Sequence, residues 1–142
     1  MVGPQLRDFV RGRANDQCEY CRLPDELEPF LPFHVDHIVA EQHGGDDDPT
    51  NLCWCCQHCN LKKGPNLSSR DDVTGRTVEL FNPRTDTWSD HFQWKGPLLV
   101  SNTATGRATI RLALDKKLPI TLIKRMIRTG VKKNENKTYS ES

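Results

Sequence analysis

Two cysteine pairs of the same spacing, CEYC at 18–21 and CQHC at 56–59, constrain this chain more than any other feature. A CxxC knuckle sets two thiolates about 2.3 Å from one ion, and two knuckles complete a closed tetrahedral site. The fold must therefore bring Cys18 and Cys21 against Cys56 and Cys59. The gap between the knuckles holds 34 residues, more than the roughly 15–20 of a simple zinc ribbon, so a structural unit is threaded between them. Four thiolates leave no open coordination position, which makes the expected Zn²⁺ structural. It would also stabilise a chain that is only 35% hydrophobic. The alternative, reduced cysteines packed as small apolar residues, suits Cys53 and Cys55 better. Those two alternate with Leu52 and Trp54 and match no knuckle. His58 lies inside the second knuckle and is superfluous beside four cysteines.

The 142 residues suffice for one modest core. No apolar run approaches the roughly 18–20 residues of a membrane span, and the N-terminal MVGPQLRDFVRGR lacks the apolar centre of a signal peptide. A cytoplasmic protein without a membrane partner is the expectation. The net charge of +1 conceals a division. Residues 1–106 carry 10 Lys/Arg against 16 Asp/Glu, giving −6, and residues 107–142 carry 10 against 3, giving +7. A basic C-terminal quarter suits a polyanion, with a solvated helix face as the alternative.

Apolar Leu6, Phe9, Val10 and Ala14 recur at helical spacing before the first knuckle. RLPDELEPFLP reads as a loop, FHVDHIV as a strand, EQHGGDDDPT as a turn-rich loop and NLCWC as a second strand. A short helix follows from the second knuckle to Gly64. Extended runs at 76–81, 91–95 and 97–101, separated by turn residues, predict a small antiparallel meander. ATGRATIRLALDKK and PITLIKRMIRTG read as helices, and the Ile120, Ile123 and Ile127 stripe of the second reads as core packing. The organisation expected is a core at 1–66, an extension at 67–132 packed on it, and a disordered tail at 133–142.

Within FHVDHIV, Asp36 and His37 are neighbours, and a strand turns neighbours to opposite faces. Taken with CEYC, HGG, Asn51 with Leu52, CQHCN and KKG, in that order over residues 18–64, the series resembles the HNH endonuclease family, in particular members whose CxxC pairs bracket the motif. LFNPRTDTWSDHFQW and the GRATIRL helix also resemble the extension of bacterial HNH proteins. The resemblance implies an α+β fold, a small ββα-metal (His-Me finger) core clamped by a four-cysteine zinc site. It implies hydrolysis of DNA phosphodiester bonds with a divalent cation, Mg²⁺ or Mn²⁺.

Carried over by position, His37 matches the general base and Asn51 the residue bracing the loop that holds it. Asp36 and Asn60 match the ligands of the catalytic ion. Asn60 stands where many members have histidine. A carboxylate and an amide oxygen suit a hard cation, and an imidazole neutral near pH 7 can take a proton from water. Lys62 and Lys63 on the short helix, and Lys124, Arg125 and Arg128 in the basic segment, are candidates for contact with the phosphate backbone. His34, two residues before Asp36, could support the metal or pack. His43 reads as a loop residue and His91 as structural. DNA is the expected partner and RNA stays open, with no small-molecule substrate. A zinc-stabilised nucleic-acid-binding module without catalysis is the main alternative. A cross-brace interaction domain would need a second set of four ligands, which the chain does not space for. Sequence specificity and oligomeric state are not legible.

Overall fold

The computed structural model describes residues 2–96 and 98–114. Helix α1 (Pro4–Arg13) starts with Pro4 in its first turn, where a missing N–H costs nothing. It buries Val10, and Ala14, which caps its C-terminal end, is buried too. Asn15 and Asp16, both at positive φ, turn the chain away from it. Arg13 on its last turn donates to the carbonyls of Pro49 (3.0 Å) and Leu52 (2.7 Å). The Arg7 guanidinium lies 4.6 Å over the Trp54 ring. The first helix is thereby bound to the strand that leads into the second knuckle.

Strands β1 (His34–His37) and β2 (Leu52–Cys55) pair antiparallel, with His34 opposite Cys55, Asp36 opposite Cys53 and His37 opposite Leu52. All four residues of β2 are buried, so the strand reads as continuously apolar rather than alternating. Helix α2 (Gln57–Lys63) follows after a single residue, Cys56, whose thiol accepts from the Cys59 N–H as an N-cap. Gly64, at φ +51, ends it. This is the ββα unit expected between and across the knuckles.

The class is mixed helix and small antiparallel sheets, as anticipated, but the C-terminal strands pair differently from the expected meander. Strand β4 (Thr77–Glu79) pairs with β3 (Ser68–Arg70), and β5 (Gln93–Lys95) with β6 (Leu98–Val100), as two separate hairpins. The β3–β4 turn is built by Asp71. Its carboxylate accepts from the N–H groups of Val73 and Thr74 and from the Thr74 hydroxyl. Arg107 of helix α4 (Ala104–Thr109) grips the same carboxylate at 2.7 and 3.1 Å. His91 lies in the short helix α3 (Trp88–His91), not in a strand. The Trp88 indole donates to the Tyr20 carbonyl at 2.8 Å and anchors this short helix, so the strand expected from residue 91 begins only at Gln93. Helix α4 continues as a π-helical turn, Ile110–Leu114.

Tyr20, Phe81, Trp88 and Phe92 stack at centroid separations of 5.2 to 6.2 Å, and they belong to the same apolar cluster as Val10, Leu52 and Trp54. Full burial of one such side chain contributes about 1.5–3 kcal/mol, so these rings fasten the extension to the knuckle region. Buried Glu19 beside the first knuckle accepts from Trp54 N–H at 2.7 Å and pairs with Arg84. Among the described residues no helix is long and apolar enough to cross a membrane. The helix expected at 119–130 and the tail lie outside the described residues.

Candidate active site

The thiols of Cys18, Cys21, Cys56 and Cys59 lie within 4.8 Å of one another, all buried. The Cys21 and Cys56 sulfurs are 3.8 Å apart. Each knuckle closes on itself, with Cys21 N–H directed at the Cys18 sulfur and Cys59 N–H at the Cys56 sulfur, both at 3.5 Å. Burial pushes the Cys18 thiol well above its ordinary range, and thiol contacts with Cys18 and Cys21 push up Cys56 and Cys59. Thiolates packed this densely need a cation, and the donor set fits zinc. Cys55 is fully buried beside this group, and Cys53, also buried, sets its sulfur against the Tyr20 hydroxyl (3.8 Å) and Asp36 Oδ2 (3.9 Å). Burial holds Cys55 up at about 12, consistent with packing roles for both.

At the other end of the same strands, alternation sends Asp36 inward and leaves His37 at the edge. Asp36 is 8% exposed. Burial raises its carboxyl pKa, and the Lys63 ammonium draws it back down. That ammonium stands 3.2 Å from Asp36 Oδ2 and 3.4 Å from the carbonyls of His37 and Gly64. Lys63 therefore departs from the expected phosphate-facing role. At 3% exposure it is turned inward, because an ionised buried carboxylate requires a cation. Lys62, one residue earlier, is exposed. Asn60 is half-buried on α2, and among the described residues its side chain is committed to no hydrogen bond. A carboxylate and an uncommitted amide oxygen are ligand types that suit a hard divalent ion, although here the Lys63 ammonium already pairs with Asp36.

His37 Nε2 is 2.7 Å from Asp47 Oδ1, and Glu41 lies in the same group. Asp47 sits on the loop after Gly44 and Gly45. Gly44 has φ +90. Gly45 packs so tightly that a Cβ there would lie 1.7 Å from the Val39 carbonyl oxygen. Asn51 ties this loop to the strand. Its Oδ1 accepts from Val39 N–H (2.8 Å), and its Nδ2 donates to the carbonyls of Val39 (3.0 Å) and Asp46 (2.9 Å). Asn51 thus clasps the chain on both sides of the loop.

His34 is half-buried opposite Cys55, and His43 is exposed. His91 bonds Thr103 Oγ1 at 2.7 Å and meets the Phe81 ring edge, a structural position. Lys124, Arg125 and Arg128 lie outside the described residues. Asp47 has no distinguishing mark in the sequence, where it is hidden in a run of three aspartates, and the inward turn of Lys63, expected to face phosphate, has no local signature.

The knuckles and the ββα unit form one small α+β domain with four thiols placed to hold an ion. Residues 18–66 match the family model described as HNH endonuclease. No curated protein and no solved structure matches the chain.

Proposed function

We propose that the protein is a metal-dependent endonuclease that hydrolyses DNA, with a structural Zn²⁺ at Cys18, Cys21, Cys56 and Cys59. The observation that carries the reading is the division of labour on β1. His37 stands at the open edge with one ring nitrogen engaged, while Asp36 turns inward toward the helix bearing Asn60. Asp36 and Asn60 would hold Mg²⁺ or Mn²⁺. When bound, such an ion stabilises negative charge on the phosphate and on the departing 3′-oxygen. His37 takes a proton from water at Nδ1 as the water oxygen bonds phosphorus. The P–O3′ bond breaks, and the departing oxygen is protonated from solvent. Asn51 keeps the loop beside His37 in register. Exposed Lys62, with Lys124, Arg125 and Arg128, would neutralise backbone phosphates and make binding salt-dependent.

One contact favours a second reading. The Lys63 ammonium already balances Asp36, as it would in a nucleic-acid-binding module that has no catalytic ion. Supercoiled plasmid incubated with the zinc-loaded protein, with and without Mg²⁺ or Mn²⁺ and beside His37→Ala, separates the two. The nuclease reading expects cutting only with the divalent ion and only with His37. Binding without cutting under either ion assigns the module.

A further inference from the structure

We infer that Asp47 is a positioning residue for His37: its carboxylate accepts from His37 Nε2–H, fixing the ring's orientation and the tautomer whose Nδ1 is free to take a proton. The inference rests on the nuclease reading for its consequence, though not for its geometry. A neutral imidazole carries one proton on two nitrogens, and the partner of one nitrogen decides which bears it. An ionised carboxylate can only accept, so at 2.7 Å from Nε2 it selects the Nε2–H form. The opposite tautomer would set a lone pair against a carboxylate and leave Nδ1 blocked by its proton.

Asp47 is the residue for this task because its loop is pinned on both flanks. Asn51 Nδ2 donates to the Asp46 carbonyl. Asp48 caps the next turn by accepting from Thr50 N–H (2.9 Å) and the Thr50 hydroxyl (2.6 Å). Gly45 lies hard against Val39, two residues beyond His37. The base and its acceptor therefore move as one unit. Glu41 belongs to the same group, so an ion shared by all three is the rival arrangement. The N···O distance speaks against it. Two ligands each about 2.0–2.2 Å from one ion stand roughly 3 Å or more apart, whereas 2.7 Å is a charge-assisted hydrogen bond.

The test compares wild type, Asp47→Ala, Asp47→Asn and Glu41→Gln, all zinc-loaded and checked for unchanged melting. Long-range ¹H–¹⁵N correlation spectra of the imidazoles, with His37→Ala for assignment, should show His37 as the Nε2–H tautomer in wild type. They should show a tautomer mixture in Asp47→Ala and recovery toward Nε2–H in Asp47→Asn, whose amide oxygen still accepts. Plasmid cleavage by Asp47→Ala should fall about tenfold or more in kcat with KM nearly unchanged, and Asp47→Asn should recover part of it. A wild-type Nδ1–H tautomer, or one indifferent to Asp47→Ala, would overturn the inference. So would a kcat unaltered in Asp47→Ala, or a loss in Glu41→Gln as large as that in Asp47→Ala. Failure of wild type to cut any DNA sinks the nuclease reading instead, and the spectra alone then decide whether Asp47 sets the ring.

Discussion

Two centres occupy opposite ends of one pair of strands, and they are built on opposite principles. The cysteine centre, beyond Cys55, has four buried ligands of one kind, drawn from two knuckles. The centre at Asp36 and His37 has mixed groups and graded exposure. Asp36 and Lys63 are buried, the His37 side chain is 17% exposed and that of Asp47 42%. A rise of about 3.3 Å per residue puts the two some 10 Å apart along the hairpin. A closed centre has no place for a substrate, so its free energy goes into folding. An open one leaves solvent-facing groups, and its residues can change without the chain losing its shape. Disturbing the first should thus be a folding event and disturbing the second a chemical one.

The comparison breaks first if zinc proves dispensable. Cys59→Ser, or a strong chelator, should abolish the cooperative melting transition, since structural zinc contributes on the order of 10–16 kcal/mol in zinc-finger peptides. An unchanged transition in metal-free protein would remove the distinction. At the open centre, His37→Ala should lower cleavage by ~10²–10⁴-fold with zinc content and melting preserved. Asn60→Ala should also lose activity, but regain part of it as Mn²⁺ is raised, whereas His37→Ala should not. If both respond alike to Mn²⁺, the assignment of base and ligand is wrong.

Gly45→Ala sharpens the comparison, because it strikes the loop alone. A methyl group 1.7 Å from the Val39 oxygen forces the loop outward, at about 1–3 kcal/mol. Calorimetry should register that loss while zinc stays stoichiometric. The smallest effect concerns acid. The bond from His37 holds the Asp47 carboxyl below its ordinary value. A folded-state pKa lowered in this way means the bond's contribution is complete above the usual carboxylate range and is lost as pH falls through the lowered value. Carboxyl chemical shifts followed by NMR should place Asp47's titration below that of an unperturbed aspartate. A midpoint at the ordinary value would detach Asp47 from His37.

What could be read from the sequence was whatever depends on short covalent spacing. Two residues between cysteines bring two thiols to one ion, and four such thiols declare a closed centre. Strand alternation sends Asp36 and His37 to different faces before any partner is known. Gly44 and Gly45 announce a turn, Gly64 a helix end, and the ordered series from Cys18 to Gly64 the family. Tertiary structure decided the partners. Lys63 looks like any surface lysine at the end of a short helix, and only the burial of Asp36 draws its ammonium inward. Asp47 is one of three consecutive aspartates, and only the fold of its loop presents it, and not Asp46 or Asp48, to an imidazole ten residues away. The run at 91–95 has strand character and Gln93–Lys95 keeps it, yet the Trp88 indole finds the Tyr20 carbonyl across the core and His91 ends a short helix ahead of the strand. Spacing and alternation are properties of the backbone at any position. A charge partner, or an anchor for one ring, exists only once distant segments have met and water has left.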